Sequence, residues 1–123
     1  MVDHENAVLL RRITDAMRVG DMETLEELVA DDIVWHEIGR SEPTRGKDAL
    51  RAEMASADYD ITYQTHDVVA NDDHAVVLGE ATATRGGKTL GYRTAEIYHV
   101  RDGRIVERWA FSDDTQRIVD FFA

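Results

Sequence analysis

Cysteine is absent from the 123 residues, which excludes disulfides, thiolate metal ligands and a cysteine nucleophile. Proline occurs once, at Pro43, and lysine only at Lys47 and Lys88. Against 14 basic residues stand 25 acidic ones, and the resulting formal charge of −11 repels phosphate backbones and anionic lipid. Neither nucleic acid nor membrane is therefore an expected partner. The acidic excess fits a salt-rich cytoplasm, where self-repulsion is screened, as well as it fits an arginine-preferring genome. No apolar run approaches the ~18 residues of a membrane span. Met1-Val2-Asp3-His4-Glu5 lacks a basic region followed by an apolar one, so a cytoplasmic protein is expected.

What is present suffices for one core. With 43% hydrophobic residues, the chain reads as a single domain over residues 1–123, too short for two. A small domain that also encloses a pocket has little surplus stability, so a homodimer that covers part of the sheet is the default expectation. From Asp3 to Val19 the apolar positions Ala7, Val8, Leu10, Ile13, Ala16 and Met17 recur at threes and fours, which predicts a helix with one buried face. Gly20 ends it, being free to take the left-handed conformation that closes a helix. Asp21 caps a second helix buried through Leu25, Leu28 and Val29. Ile33 to Ile38, rich in β-branched and aromatic residues, reads as a first strand closed by Gly39, and Lys47 to Met54 as a short helix.

After Asp58 the period changes to two. Tyr59 to Ala70, His74 to Arg85, Leu90 to Val100 and Arg104 to Ser112 read as four strands. The turns between them are Asn71-Asp72-Asp73, Gly86-Gly87 and Asp102-Gly103. Asp113 to Ala123 reads as a last short helix anchored by Ile118, Phe121 and Phe122. Helices first and hairpin-linked strands afterwards make an α+β fold: a curved antiparallel sheet, cone or half-barrel, with the N-terminal helices over its concave face.

Three segments carry a resemblance that runs through nearly the whole chain. They are Ala30 to Ser41 with its Trp35-His36-Glu37 centre, the helix start Arg45 to Leu50, and Asp102 to Trp109. Together they resemble the SnoaL-like branch of the nuclear transport factor 2-like superfamily, which implies the cone fold but leaves activity open, because that fold hosts isomerases, cyclases, hydrolases and binding modules. Against ketosteroid isomerases, the resemblance puts His36 at the general-base position and Glu96 near the oxyanion-hole carboxyl. The tyrosine of the first helix in that family has no counterpart, since the stretch reads Arg12-Ile13-Thr14, which argues against steroid isomerisation. Against SnoaL polyketide cyclases, Asp113, four residues after Trp109, falls near the proposed acid/base aspartate.

Side chains two apart on a strand share a face. If Glu96 and Trp109 both point into the cone, the pocket has walls of Trp35, Tyr98, Trp109 and Phe111. Its acid–base groups are then Glu96, Glu107 and Asp113, with His36 joining from the first strand. A histidine titrating near neutrality and a carboxyl against an apolar wall suit proton transfer next to a carbonyl. The expected activity is a cofactor-independent isomerase, cyclase or lyase acting on a small apolar carbonyl compound, with catalytic His36, Glu96 and Asp113. The alternative is a non-catalytic ligand-binding or dimerisation module. The competing readings of single residues are plain ones: His36 as a core histidine, Glu96 and Glu107 as surface partners of Arg93, Arg104 or Arg108, and Asp113 as a helix cap. His4, His66, His74 and His99 show no metal-ligand spacing, so no metal is expected.

Overall fold

The computed structural model describes residues 3–123, so the first two residues of the segment expected to carry no leader lie outside the described residues. Four helices and six strands follow in the order α1 (Glu5–Val19), α2 (Met22–Leu28), β1 (Val29–Trp35), β2 (Thr44–Arg45), α3 (Lys47–Ala55), β3 (Asp60–Ala70), β4 (His74–Arg85), β5 (Lys88–Arg101), β6 (Arg104–Ser112) and α4 (Thr115–Phe122).

The buried face of α1 is Ala7, Leu9, Leu10, Ile13 and Ala16; Val8 and Met17, expected inside, are largely exposed. His4 accepts the Asn6 amide at the helix start, and Gly20 closes the far end at φ 72°. The buried Asn6 side chain donates to the carbonyls of Asn71 and Asp72, which ties α1 to the β3–β4 turn. Asp21 caps α2 as expected, accepting from the amide and hydroxyl of Thr24.

The sheet order is β2-β1-β6-β5-β4-β3. β3 to β6 form the expected antiparallel meander. The sheet as a whole is mixed, however, because β1 runs parallel to β6, and it is open at both edges. A strand that follows two helices and precedes a third has no hairpin to set its direction, so local signals did not reveal this pairing. Helices cover one face, here called inner, where Leu10, Ile13, Ile33, Val77, Tyr98 and Ile105 are fully buried.

The ladders are irregular at three places: near His66 in β3, at Val106 in β6, and between Val29 and Val34 where β1 pairs with β6. Such insertions add local twist, which helps long strands curl. The second also resets parity. His99 pairs with Glu107 and Val100 with Ile105, so Val106 is the extra residue. As a result Ile105 and Arg108, three apart, are both buried on the inner face.

Candidate functional site

The parity reset decides which side chains meet. On β5 the inner residues are Leu90, Tyr92, Thr94, Glu96, Tyr98 and Val100. Opposite Tyr98 stands Arg108, and opposite Ile97 stands Trp109. Glu96 therefore faces inward with Arg108, while Trp109 lies on the outer face. This overturns the expectation that Glu96 and Trp109 share one pocket. Glu107, paired with His99, and Phe111, paired with Ala95 and 58% exposed, lie on the outer face as well. On β1, Trp35 pairs with inward Arg108, which sends His36 outward.

The outer face thus collects a small cluster. His36 Nε2 lies 2.8 Å from Glu107 Oε2, and the His36 ring stacks on Trp109 at 6.1 Å between centroids. His74 and His99, cross-strand partners, stack at 5.0 Å. Asp113 belongs to neither cluster. Exposed at the end of β6, it accepts the Arg93 amide at 3.1 Å and faces Arg93 Nε at 3.4 Å, and that backbone hydrogen bond lowers its pKa. It does not cap α4 either, since Asp114 accepts the Arg117 amide.

The inner face carries a continuous polar chain. Glu96 Oε1 accepts from Tyr98 Oη at 2.9 Å and from Arg108 Nη2 at 2.9 Å and Nε at 3.3 Å. Oε2 accepts from Thr94 Oγ1 at 3.3 Å, and Thr94 Oγ1 lies 2.9 Å from Tyr63 Oη, which sits close enough to Glu96 for the carboxylate to raise its pKa. Arg108 Nη1 donates to the His36 carbonyl, and the guanidinium lies 4.4 Å over the Trp35 ring. Trp35 in turn donates to Glu37 Oε1 at 2.8 Å. Glu96 and Arg108 are each 8% exposed. Burial works against the charge of Arg108, but Glu96 and Tyr98 outweigh it and raise its pKa.

The chain exists because β4 presents small inner residues. Tyr63 lies across Gly79, where an added Cβ would sit 2.5 Å from the Gln64 carbonyl oxygen and 2.6 Å from Tyr63 Oη. Only glycine leaves that passage open. Burial first, and the Glu96 charge second, hold Tyr63 and Tyr98 protonated well above their ordinary range and push Tyr92 to about 12. Tyr92 is half-buried, and its hydroxyl has no hydrogen-bond partner among the described residues. It is the one inner tyrosine hydroxyl of β5 left for a guest molecule. α4 lies beside this region: Phe122 meets Tyr59 edge-on at 4.8 Å, and Arg85 donates to the Phe121 and Ala123 carbonyls.

Two cavities adjoin these clusters. An apolar cleft of about 40 Å³ lies between α1, α2 and α3, lined by Ile13, Leu25, Leu50, Ile105, Trp35 and three methionines, Met17, Met22 and Met54. That is well below the ~150 Å³ of a cavity that holds a benzene ring, so a guest of organic size requires side chains to move. Methionine suits such movement, being unbranched and adaptable. An open groove also crosses β3, β4 and β5 at Gln64, His66, Leu78, Glu80 and Arg93.

Sequence reasoning missed Glu37, Tyr63, Tyr92 and Thr94 as site residues, and weighed Arg108 only as a surface partner of Glu96, whereas the pair is buried. A signal was present: Glu96 is the only charged residue among the alternating positions Leu90 to Val100, so a buried cation had to be sought on the neighbouring strand.

Helices over one face of a curled, open sheet, with a polar chain at the centre of that face, define the α+β cone class. An NTF2-like protein of unknown function from Burkholderia pseudomallei superposes with a TM-score of 0.85, covering 98% of both chains at 17% identity. The SnoaL-like domain model matches residues 10–108, and the chain belongs to that family. It is 30% identical to the uncharacterized protein Rv0034 of Mycobacterium tuberculosis, over the full length of both. IdmH of Streptomyces antibioticus, a candidate polyketide cyclase, is 26% identical, with a TM-score of 0.73 over 98% of this chain and all of that one.

Proposed function

We propose that the inner face is the active site of a cofactor-independent isomerase, cyclase or lyase acting on a small apolar carbonyl compound. Glu96 is the proton-transfer group in this reading. Oε1 is pinned by Tyr98 and Arg108, whereas Oε2 takes a long bond from Thr94 among the described residues and keeps a lone pair for a substrate C–H. The proton moves from the carbon next to the carbonyl to Oε2, and the electron pair moves to the carbonyl oxygen. The developing oxyanion takes a hydrogen bond from the Tyr92 hydroxyl. Returning the proton to a different carbon completes an isomerisation; attack of the carbon on a second carbonyl completes a cyclisation. General acid–base work of this kind contributes roughly 10²–10⁴-fold.

The observations that carry the reading are a buried carboxylate with one long-bonded oxygen and, four residues earlier on the inner side of the same strand, a tyrosine hydroxyl with no hydrogen-bond partner among the described residues. His36 and Asp113, expected as partners of Glu96, stand away from it, His36 across the sheet and Asp113 at the strand end, so the proposal gives them no role in this step. A screen of small cyclic and polyketide-like ketones tests it. Turnover that falls at least about 10²-fold in Tyr92→Phe supports the reading. Turnover that survives Tyr92→Phe and Glu96→Gln, both folded, refutes it.

A second reading, a non-catalytic binding module, is favoured by the small cleft and by the number of donors that hold Glu96 in place. In either case we propose that a second copy covers the outer face, where Phe111 and Leu78 are exposed beside Trp109 and Ile97. No helix among the described residues is long and apolar enough to cross a membrane. A cytoplasmic location remains part of the proposal.

A further inference from the structure

Glu96 is buried, and neither the helical cleft nor the outer groove is lined by Glu96 or Tyr92. A guest therefore reaches this carboxylate only when a covering element moves. Along the inner row of β5, Val100 and Tyr98 belong to the main core, Glu96 and Thr94 to the polar chain, and Tyr92 and Leu90 lie beyond it. Leu90, Ala81 and Ala83 of the sheet and Ile118 of α4 are buried too, yet none of them joins the core cluster. The polar chain thus separates the large core from a small satellite group, and small groups of this kind open at lower cost.

α4 covers the satellite end. Strand directions bring the ends of β1, β4 and β6 and the starts of β3 and β5 to one rim of the sheet, and α4 spans that rim. On the β1 side Val119 rests on Gly39, where an added Cβ would sit 2.4 Å from Val119 Cγ2. On the β3 side Phe122 meets Tyr59. Arg85, next after Ala83 on the inner row of β4, donates Nη1 to the carbonyls of Phe121 at 3.1 Å and Ala123 at 2.8 Å, and Nε to Asp58 at 3.2 Å. A cation on the last carbonyls of a helix holds that end in place. The other end hangs on the link Asp113-Asp114, whose first residue is exposed.

We propose that α4 is a hinged lid over the Tyr92 end of the inner face: it swings on Asp113-Asp114, is latched by Arg85, and opens as a unit while the main core stays folded. Its role as a gate rests on the inner face being the active site; its motion does not.

Because the chain has no cysteine, one introduced thiol reports the opening. Ala75 and Ala83 are a matched pair, both 0% exposed on the inner row of β4, the first in the main core and the second outside it. In native buffer Ala83→Cys should react with methyl methanethiosulfonate, a small neutral reagent, at least about 10²-fold faster than Ala75→Cys, whose thiol waits for global unfolding. Adding Arg85→Ala should speed the reaction of Ala83→Cys about tenfold further. Equal rates at the two positions overturn the lid, and a rate at Ala83→Cys that ignores Arg85→Ala overturns the latch. The unmodified protein gives a check that needs no variant to fold: in hydrogen exchange the amides Ile118 to Phe122 should share one opening free energy, below that of the β4 and β5 amides. Rates graded residue by residue along α4 mean fraying and refute the lid. None of these readouts depends on ketone turnover, so failure of the lid and failure of the catalytic reading are separate outcomes.

Discussion

The two faces of β5 and β6 hold similar residues in different circumstances. Outside, His36 and Glu107 form a short pair whose side chains are 33% and 28% exposed. Inside, Glu96 and Arg108 form a pair whose side chains are 11% and 10% exposed, extended by two tyrosines and a threonine. Water screens the outer pair and relieves its members when they part. The inner pair has no such outlet, so its geometry must be complete. Chemistry that depends on a fixed, water-poor carboxylate belongs inside.

The largest expected effect comes from halving the inner pair. Glu96→Ala or Arg108→Ala leaves an uncompensated buried charge and should cost about 3–5 kcal/mol in urea unfolding. The same truncation at His36 or Glu107 should cost only ~0–1 kcal/mol. Equal losses on the two faces would erase the contrast.

Gly79→Ala is intermediate. The added carbon meets the Gln64 backbone and the Tyr63 hydroxyl, so Tyr63 must leave Thr94, at a cost of about 1–3 kcal/mol. A crystal structure of this variant with Tyr63 still bonded to Thr94 would contradict the account of that passage.

Alkaline pH gives a smaller and more specific effect. Tyrosine ionises near 10 in the unfolded chain, whereas the inner tyrosines stay neutral to higher pH, Tyr92 to about 12. The folded state then holds more protons between the two values. Stability from this source is complete below about pH 10 and is lost as pH rises through the folded pKa. Absorbance titration of the native protein should show phenolate appearing late, together with unfolding; four tyrosines titrating near 10 in folded protein would refute it.

Much of the fold was legible in the sequence. The period of α1, the caps at Gly20 and Asp21 and the three hairpin turns placed nearly every element. Thr44–Arg45 is too short to show a period, and Val29–Asp32 joins β1 from what read as the end of a helix. The site was less legible. Glu96 and Tyr98 were correctly seen as neighbours on one face, but alternation along β6 was read without the extra residue at Val106. One unseen bulge exchanged the two faces, bringing Arg108 inward and turning Glu107, Trp109 and Phe111 outward. No local signal marks Val106 as the inserted residue, because the bulge answers to the pairing of β6 with strands on both sides.

The two tryptophans stand one on each face and report on the central claim directly. In a ¹⁵N NMR titration with a small cyclic ketone, the Trp35 indole N–H, bonded to Glu37, should shift while that of Trp109 stays in place. Movement of the Trp109 resonance alone would put the ligand on the outer face, beside His36, and contradict the account.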